Sequence, residues 1–366
     1  MKYPEKIGFR KRLALDLFAK YHQDRVKTHE LKVLFWECTL RCNLSCKHCG
    51  SDCKSESGIA DMPKADFFKV IDSITPHINP NKVMITFSCG EPLMRNDLEE
   101  CGLELYRRGF PWGLVSNGMA LTPQRFDALI AAGLHSITIS LDGFAEQHNM
   151  IRGNPKSFDN ALNAIKMIVH EKDIIYDVVT CVTPDNFSSL EAFKNLLIDT
   201  GVKYWRIFTI FPSGRAAEND HLQLSNKQTI ELLEFIKQTR KENKIKLNFA
   251  CEGFLGNYET EVRDNFYYCA AGVNVASILI DGNISGCTSI RHNFYQGNIY
   301  HDDFMTVWNN KFETYRNRDW TKTNECQECK MFKYCLGGGM HLRGDNKEML
   351  DCLYLRITDK KNNDSL

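Results

Sequence analysis

An excess of charge of either sign is what this 366-residue chain lacks: 46 Lys and Arg stand against 46 Asp and Glu, a formal charge of zero with histidine neutral. With no basic tract either, it offers no electrostatic footprint for nucleic acid or another polyanion. Long apolar runs are missing as well. No window approaches the roughly 18 apolar residues needed to cross a bilayer, so no membrane partner is expected. Residues 1–30 carry basic residues but only the short apolar run LALDLFA, broken by an aspartate and followed by no small-residue cleavage site; this argues against a secretory signal. The absences predict a cytoplasmic protein that opens on an amphipathic helical extension over 1–30.

Cysteine is what the chain does have. Fifteen residues are many for a reducing compartment, where disulfides are disfavoured, yet far short of the roughly 8–10% that marks a disulfide scaffold. Clustered cysteines in such a protein point to metal or cluster ligands, or to redox groups.

Between 31 and 212 one theme repeats: a short apolar, β-rich run ends in polar residues or glycine and gives way to an amphipathic segment of helix length. The runs are LKVLFWECT (31–39), VMITFSCGEP (83–92), WGLVSNG (112–118), SITISLDG (136–143), YDVVTCVTPDN (176–186) and YWRIFTIFPSGR (204–215). Helices are expected over 63–74, 96–109, 122–133, 157–171 and 188–201. Alternating strands and helices imply an α/β fold with a parallel sheet, whose sites form beyond the C-terminal ends of the strands. Every unusual polar group of this stretch falls at such an end. A helical connector follows over 221–250, and then short strands, glycines and cysteines over 251–366. One large domain with a smaller one suits a chain of this length.

The first cysteine group is ECTLRCNLSCKHCGSDC (37–53). Its spacing C-x3-C-x2-C, at Cys42, Cys46 and Cys49, brings three thiolates from one loop, where a [4Fe-4S] cube usually takes four; one iron would stay open to another ligand. Cys38 reads as core, Cys53 as a spare thiol, and Cys101 and Cys181 as buried small hydrophobes.

CNLSCKHC resembles the signature of the radical S-adenosylmethionine (radical SAM) enzymes. SCGEPL (88–93) is similar to that family's Gly-Gly-Glu-Pro segment, SNG (116–118) to its strand-three motif, and SLDGFAEQHNMIRG (140–153) to the Ser-Leu-Asp-Gly and Arg-Gly pair of its peptide-modifying branch. The resemblance implies a partial (β/α)6 barrel over 31–220 and a [4Fe-4S] cluster on Cys42, Cys46 and Cys49, its fourth iron chelated by SAM. Reductive cleavage of SAM then yields a 5′-deoxyadenosyl radical that abstracts hydrogen from unactivated carbon. It further implies cofactor contacts from His48, Gly90, Glu91, Pro92, Ser116, Asn117, Ser140, Asp142 and Arg152: Glu91 on the methionyl amino group, Ser140 and Arg152 on ribose or carboxylate, His48 beside the adenine, Asn117 shaping the pocket. Position 89, usually glycine in the family, is cysteine here. No catalytic acid or base is assigned.

The second group resembles the SPASM extension of relatives that mature peptides and sulfatases. Cys326, Cys329, Cys335 and Cys352 match that extension's outer auxiliary [4Fe-4S] cluster, with zinc as the competing occupant. The inner site keeps Cys269 and Cys287, but position 339, where the pattern requires cysteine, is glycine, and 275 is valine. Whether Cys251, His292 or His341 stands in, or the inner cluster is missing, is left open, as is whether MHLRGD (340–345) borders the substrate. The function implied is hydrogen abstraction from a residue of a peptide or protein, encoded beside this chain, with flavodoxin or ferredoxin as reductant. The alternatives are a small-molecule or tetrapyrrole substrate and a non-catalytic iron–sulfur carrier.

Overall fold

The computed structural model describes residues 7–358; the ends of the extension (1–6) and of the C-terminal region (359–366) lie outside the described residues. The chain runs α1 (Phe9–Thr28), β1 (Val33–Glu37), α2 (Lys64–Ile74), β2 (Met84–Ser88), α3 (Leu98–Arg107), β3 (Trp112–Ser116), α4 (Pro123–Ala131), β4 (Leu134–Ser140), α5 (Ala145–Arg152), α6 (Ser157–Ile168), β5 (Ile175–Cys181), α7 (Pro184–Phe187), α8 (Leu190–Asp199), β6 (Tyr204–Phe208), α9 (Asn226–Glu242), β7 (Lys246–Phe249), β8 (Val275–Ile278), β9 (Asn283–Ser285) and β10 (Gly297–Asn298), followed by short helices. One sheet of ten strands, ordered β10-β9-β8-β1-β2-β3-β4-β5-β6-β7, holds them. Pairing is parallel from β8 through β1 to β7 and antiparallel at β9 and β10.

Local sequence explains the elements. Thr122 accepts from the Arg125 N–H ahead of Pro123 and starts α4; Ser225 and Gln228 cap α9 reciprocally, and Asn243 ends it in the left-handed conformation. The core beneath the site is aromatic. Trp36 of β1 stacks on Phe67 of α2 with ring centroids 4.0 Å apart and meets Phe87 of β2, which packs edge-on to Trp112 of β3. Each such fully buried ring contributes about 2–3 kcal/mol. Gly102 is what lets α3 lie on β3, because a Cβ there would sit 2.2 Å from the Trp112 ring.

All six expected strands form, and the five expected helices form within a few residues of their expected bounds. Three features differ. The cysteine-rich region is not set apart, since β8 pairs with β1 and extends the same sheet. The connector ends in a strand, β7, parallel to β6. On α1 the apolar residues do not gather on one face: Leu15 is buried, whereas Phe9, Leu13, Leu17 and Tyr21 are exposed. Among the described residues no helix is long and apolar enough to cross a membrane.

Candidate active site

The loop after β1 is held from two sides. Arg41 forks onto Asp61, with Nη2 to Oδ2 at 2.5 Å, and its carbonyl accepts from the Glu91 N–H. Arg215, beyond β6, donates to the carbonyls of Cys46 and Cys53 and, through its own N–H, to that of Cys49. So fixed, Cys42, Cys46 and Cys49 line one cavity of about 330 Å³ at the C-terminal ends of the strands. Burial pushes the Cys42 thiol up to about 12. A hydrogen bond from Cys53 lowers the Cys49 pKa.

Cys38 lies in the core, as read, fully buried. Cys53 is placed in the site instead of beside it: its sulfur accepts from the Gly90 N–H at 3.2 Å and lines the cavity. Cys101 is buried, but Cys181 is half-buried and also lines the cavity, because β5 ends there and its side chain faces inward past the sheet.

Of the residues expected at the cofactor, His48, Gly90, Glu91, Ser116, Asn117, Ser140 and Arg152 line this cavity; Pro92 and Asp142 stand behind it. Pro92 opens the short turn Pro92–Met94 that Glu91 caps. The Glu91 carboxylate, 1% exposed, accepts from the Leu93 N–H, the Ser116 hydroxyl and the Asn117 N–H, the last at 2.7 Å. Burial nonetheless raises its pKa. The Asn117 amide donates to Asn43 at 2.8 Å and approaches the Cys42 sulfur at 3.7 Å, coupling the ends of β1 and β3.

Asp142 is the anchor of the opposite wall. Its Oδ1 accepts from the Cys181 N–H and its Oδ2 from Arg152 Nε at 2.6 Å, while its own N–H donates to His148. Arg152, last residue of α5, extends its other arm to 3.7 Å from the Cys46 sulfur. Burial alone would raise the Asp142 carboxyl, but Arg152, His48 and His148 outweigh it and hold it well below the usual carboxylate range. His48 packs against Asp142 with Nδ1 buried and unpartnered. Sequence reading missed α5; the glycine at 153, which closes it at φ 70°, was the available signal.

Two contacts go beyond the sequence reading, which singled out Cys89 only as a departure from glycine and did not name Arg291. Cys89 adopts φ 65°, and its sulfur lies 2.9 Å from the guanidinium of Arg291. Arg291 comes from the C-terminal region, pairs with the buried Glu37 at the end of β1 at 2.6 Å and lines the same cavity.

In the C-terminal region Cys326, Cys329, Cys335 and Cys352 line one enclosed pocket together. Arg343, 1% exposed, points its guanidinium at Cys326 from 3.5 Å, so within MHLRGD the basic charge faces these thiols while the Asp345 carboxylate stays exposed. Cys269 and Cys287 do not line that pocket, although Cys269 shares a neighbouring cavity with Cys335. Tyr315 spans the two loops: its ring is where a Cβ on Gly272 or on Gly286 would fall, and its hydroxyl accepts from the Gly286 N–H.

The donor sets fit iron–sulfur clusters. A four-thiolate zinc site with Zn–S of about 2.3 Å holds its sulfurs about 3.8 Å apart. Among the described residues, the group whose ligand atoms all come within 4.8 Å is instead His48, Asp142 and Cys181. Three thiols on one loop beside a cavity suit a cluster with one open iron, and four in one pocket suit a closed one.

Residues 36–197 match the Radical SAM superfamily and residues 269–330 the SPASM iron–sulfur cluster-binding domain. The AdoMet-dependent heme synthase of Nitratidesulfovibrio vulgaris is 27% identical over 336 residues, 86% of this chain and 88% of that protein. The mycofactocin maturase MftC of Mycolicibacterium smegmatis is 29% identical over 314 residues, 84% of this chain and 77% of that one. Among solved structures, anSMEcpe with bound AdoMet and the Cp18Cys peptide superposes with a TM-score of 0.68 at 18% identity, over 90% of this chain and 96% of that chain. With both domains found in order on one continuous sheet, the chain is a radical SAM protein with a C-terminal SPASM domain.

Proposed function

We propose that this enzyme abstracts a hydrogen atom from a residue of a peptide or protein and so oxidises or cross-links that residue. The observation that carries the reading is the form of the cavity. About 330 Å³, lined in part by Thr288, Ser289 and Arg291 of the C-terminal region, is to be shared by cofactor and substrate, which suits the entry of a side chain better than that of a broad ring system. When bound, the cluster and SAM supply a 5′-deoxyadenosyl radical.

The chain's own residues hold and shield. Cys42, Cys46 and Cys49 are the proposed cluster ligands, with Arg215 taking the loop carbonyls and Arg152 facing the Cys46 sulfur. Glu91, Ser140 and Arg152 are the proposed partners of the polar groups of SAM, and His48, whose Nδ1 is buried without a partner, of its base. The barrel, 31–220, supplies this chemistry; the region 251–366 supplies the outer cluster on Cys326, Cys329, Cys335 and Cys352. A flavodoxin- or ferredoxin-type protein is the proposed reductant.

A second reading, an iron tetrapyrrole substrate, is favoured by the near end-to-end match to the heme synthases. The anaerobically reconstituted, reduced protein is to be incubated with SAM and either peptides encoded beside it or an iron porphyrin, measuring 5′-deoxyadenosine and methionine. Release of both without peptide stimulation but with porphyrin turnover would replace the first reading by the second. Release of neither, under conditions that activate a control enzyme, would reject both.

A further inference from the structure

A cavity of about 420 Å³, larger than the one at the strand ends, opens between α1 and the C-terminal region. Leu15, Phe18 and His22 of the helix form one wall, and Tyr267, Arg318 and Leu336 the other. It shares no lining residue with the cavity that holds the SAM motifs. Apolar contacts build its frame: Leu15 belongs to one buried cluster with Phe254, Tyr267 and Tyr334, and Phe18 meets Phe266 and Tyr268 with ring centroids 5.4 and 6.0 Å apart. Asp16 accepts from Lys333 at 2.7 Å and pins the helix in place.

Three polar atoms of these lining residues are buried without a hydrogen-bond partner among the described residues: Arg318 Nε, His22 Nε2 and the Tyr267 hydroxyl. Arg318 is 6% exposed and Tyr267 3%. The hydrogen bond that Arg318 does make runs from Nη2 to the Gly338 carbonyl at 2.9 Å, and among the described residues no carboxylate pairs with it. The other cations of the lining are answered locally, Lys333 by Asp16, Lys27 by Asp24 and Arg316 by the carbonyls of Gly272 and Trp308. Glu313 and Asp319, the lining carboxylates, are exposed. Water satisfies a hydroxyl or an imidazole, but it does not supply the counter-charge that a buried guanidinium needs.

We propose that this cavity binds an organic carboxylate with an apolar body, the carboxylate taken by Arg318, Tyr267 and His22 and the body lying against Leu15, Phe18 and Tyr268. One guanidinium, a phenol and an imidazole N–H are donors that suit a planar, singly charged acceptor; a phosphate dianion calls for a second free cation, and the lysines here are already paired. The inference goes beyond the peptide-modifying reading and does not depend on it. Because α1 forms one wall, the bound acid ties the N-terminal helix to the C-terminal region. A free acid and the last residue of a peptide present the same group, and the test separates them. Cys269 and Cys335 also reach the wall, so the test runs on protein that has been given its iron.

The full chain, reconstituted anaerobically with iron and sulfide, is titrated by calorimetry with phenylbutyrate, its primary amide, phenyl phosphate, and the tripeptide Ala-Ala-Phe with a free or an amidated C-terminus. Each carboxylate should bind at least about tenfold more tightly than its amide, the difference a charge-assisted hydrogen bond makes. Tyr267→Phe and His22→Phe should each weaken the carboxylate by about tenfold, and Arg318→Gln should remove its binding, with iron content unchanged in all three. Hydrogen exchange of the α1 amides should slow with the acid and not with the amide. Tighter binding of phenylbutyrate supports the site with a free acid as its ligand; tighter binding of the free tripeptide supports it with a peptide end. The proposal is overturned if neither acid binds, if acid and amide bind alike, if phenyl phosphate binds more tightly than both acids, or if Tyr267→Phe and His22→Phe bind as the wild type does. Acid binding that is present before reconstitution and lost after it would assign the cavity to iron and overturn the proposal as well. Where Arg318→Gln fails to fold, the Tyr267 and His22 variants decide.

Discussion

Arg152 Nε donates to Asp142 Oδ2 at 2.6 Å, joining two residues ten apart in sequence, both almost fully buried. The pair fixes α5 against the end of β4 and leaves the second arm of the guanidinium over the cysteine loop. Its energetics follow from burial: an ion pair this deep contributes little net when whole, yet removing one partner leaves a charge without water or counter-ion.

Asp142→Asn is therefore expected to destabilise the apo-protein by about 3–5 kcal/mol, read by denaturant unfolding. The pH dependence has a definite sign. With its folded pKa held below the unfolded value of about 3.9, Asp142 contributes stability that is whole above about pH 4 and is lost as pH falls through the folded value. The wild-type protein should lose stability faster than the Asn variant below about pH 4; parallel curves would contradict the assignment.

Changing Cys42, Cys46 or Cys49 to Ala should remove the open-iron cluster and with it 5′-deoxyadenosine formation. Cys38→Ala should leave both in place and cost about 2 kcal/mol or less through its core cavity. Iron counting alongside product analysis checks the split.

Gly90→Ala should be worse than its size suggests. At φ 56° the new Cβ would lie 2.5 Å from the Arg41 carbonyl and 2.6 Å from that of Thr39, so the cysteine loop must shift. Loss of more than about 1 kcal/mol in stability, with faster iron release to a chelator, is the expected result.

Cys89 offers a paired comparison. A left-handed conformation costs a non-glycine residue about 1 kcal/mol, so Cys89→Gly should be more stable than Cys89→Ala by about that much, both having lost the contact to Arg291. Equal stabilities in thermal unfolding would show that the backbone there relaxes.

Much of the barrel was legible because each layer is written locally: β-rich run, polar end, capped amphipathic helix. That Cys42, Cys46 and Cys49 share a cavity with Glu91, Asn117 and Arg152 was legible because the motifs carrying them follow those ends. Cys181 was misread as core since strand alternation alone does not say where β5 stops and its wall becomes cavity. Arg291 was invisible for a different reason. Its partners, Glu37 and Cys89, lie some 250 and 200 residues earlier, and nothing local marks a pairing of that span.

The pairing of β8 with β1 carries a consequence for any attempt to divide the chain. Four residues of β1, Val33 to Trp36, are in register with Val275 to Ile278, and the salt bridge from Arg291 to Glu37 closes the seam at the strand's end. A fragment stopped at residue 250 would present β1 as a raw, apolar edge with its amides and carbonyls unpaired, a template for sticking to other copies. Such a fragment should collect as aggregate even though Cys42, Cys46 and Cys49 are all present, which makes the cysteine-rich region a structural wall of the first domain as well as the stretch that matches an iron–sulfur cluster-binding domain.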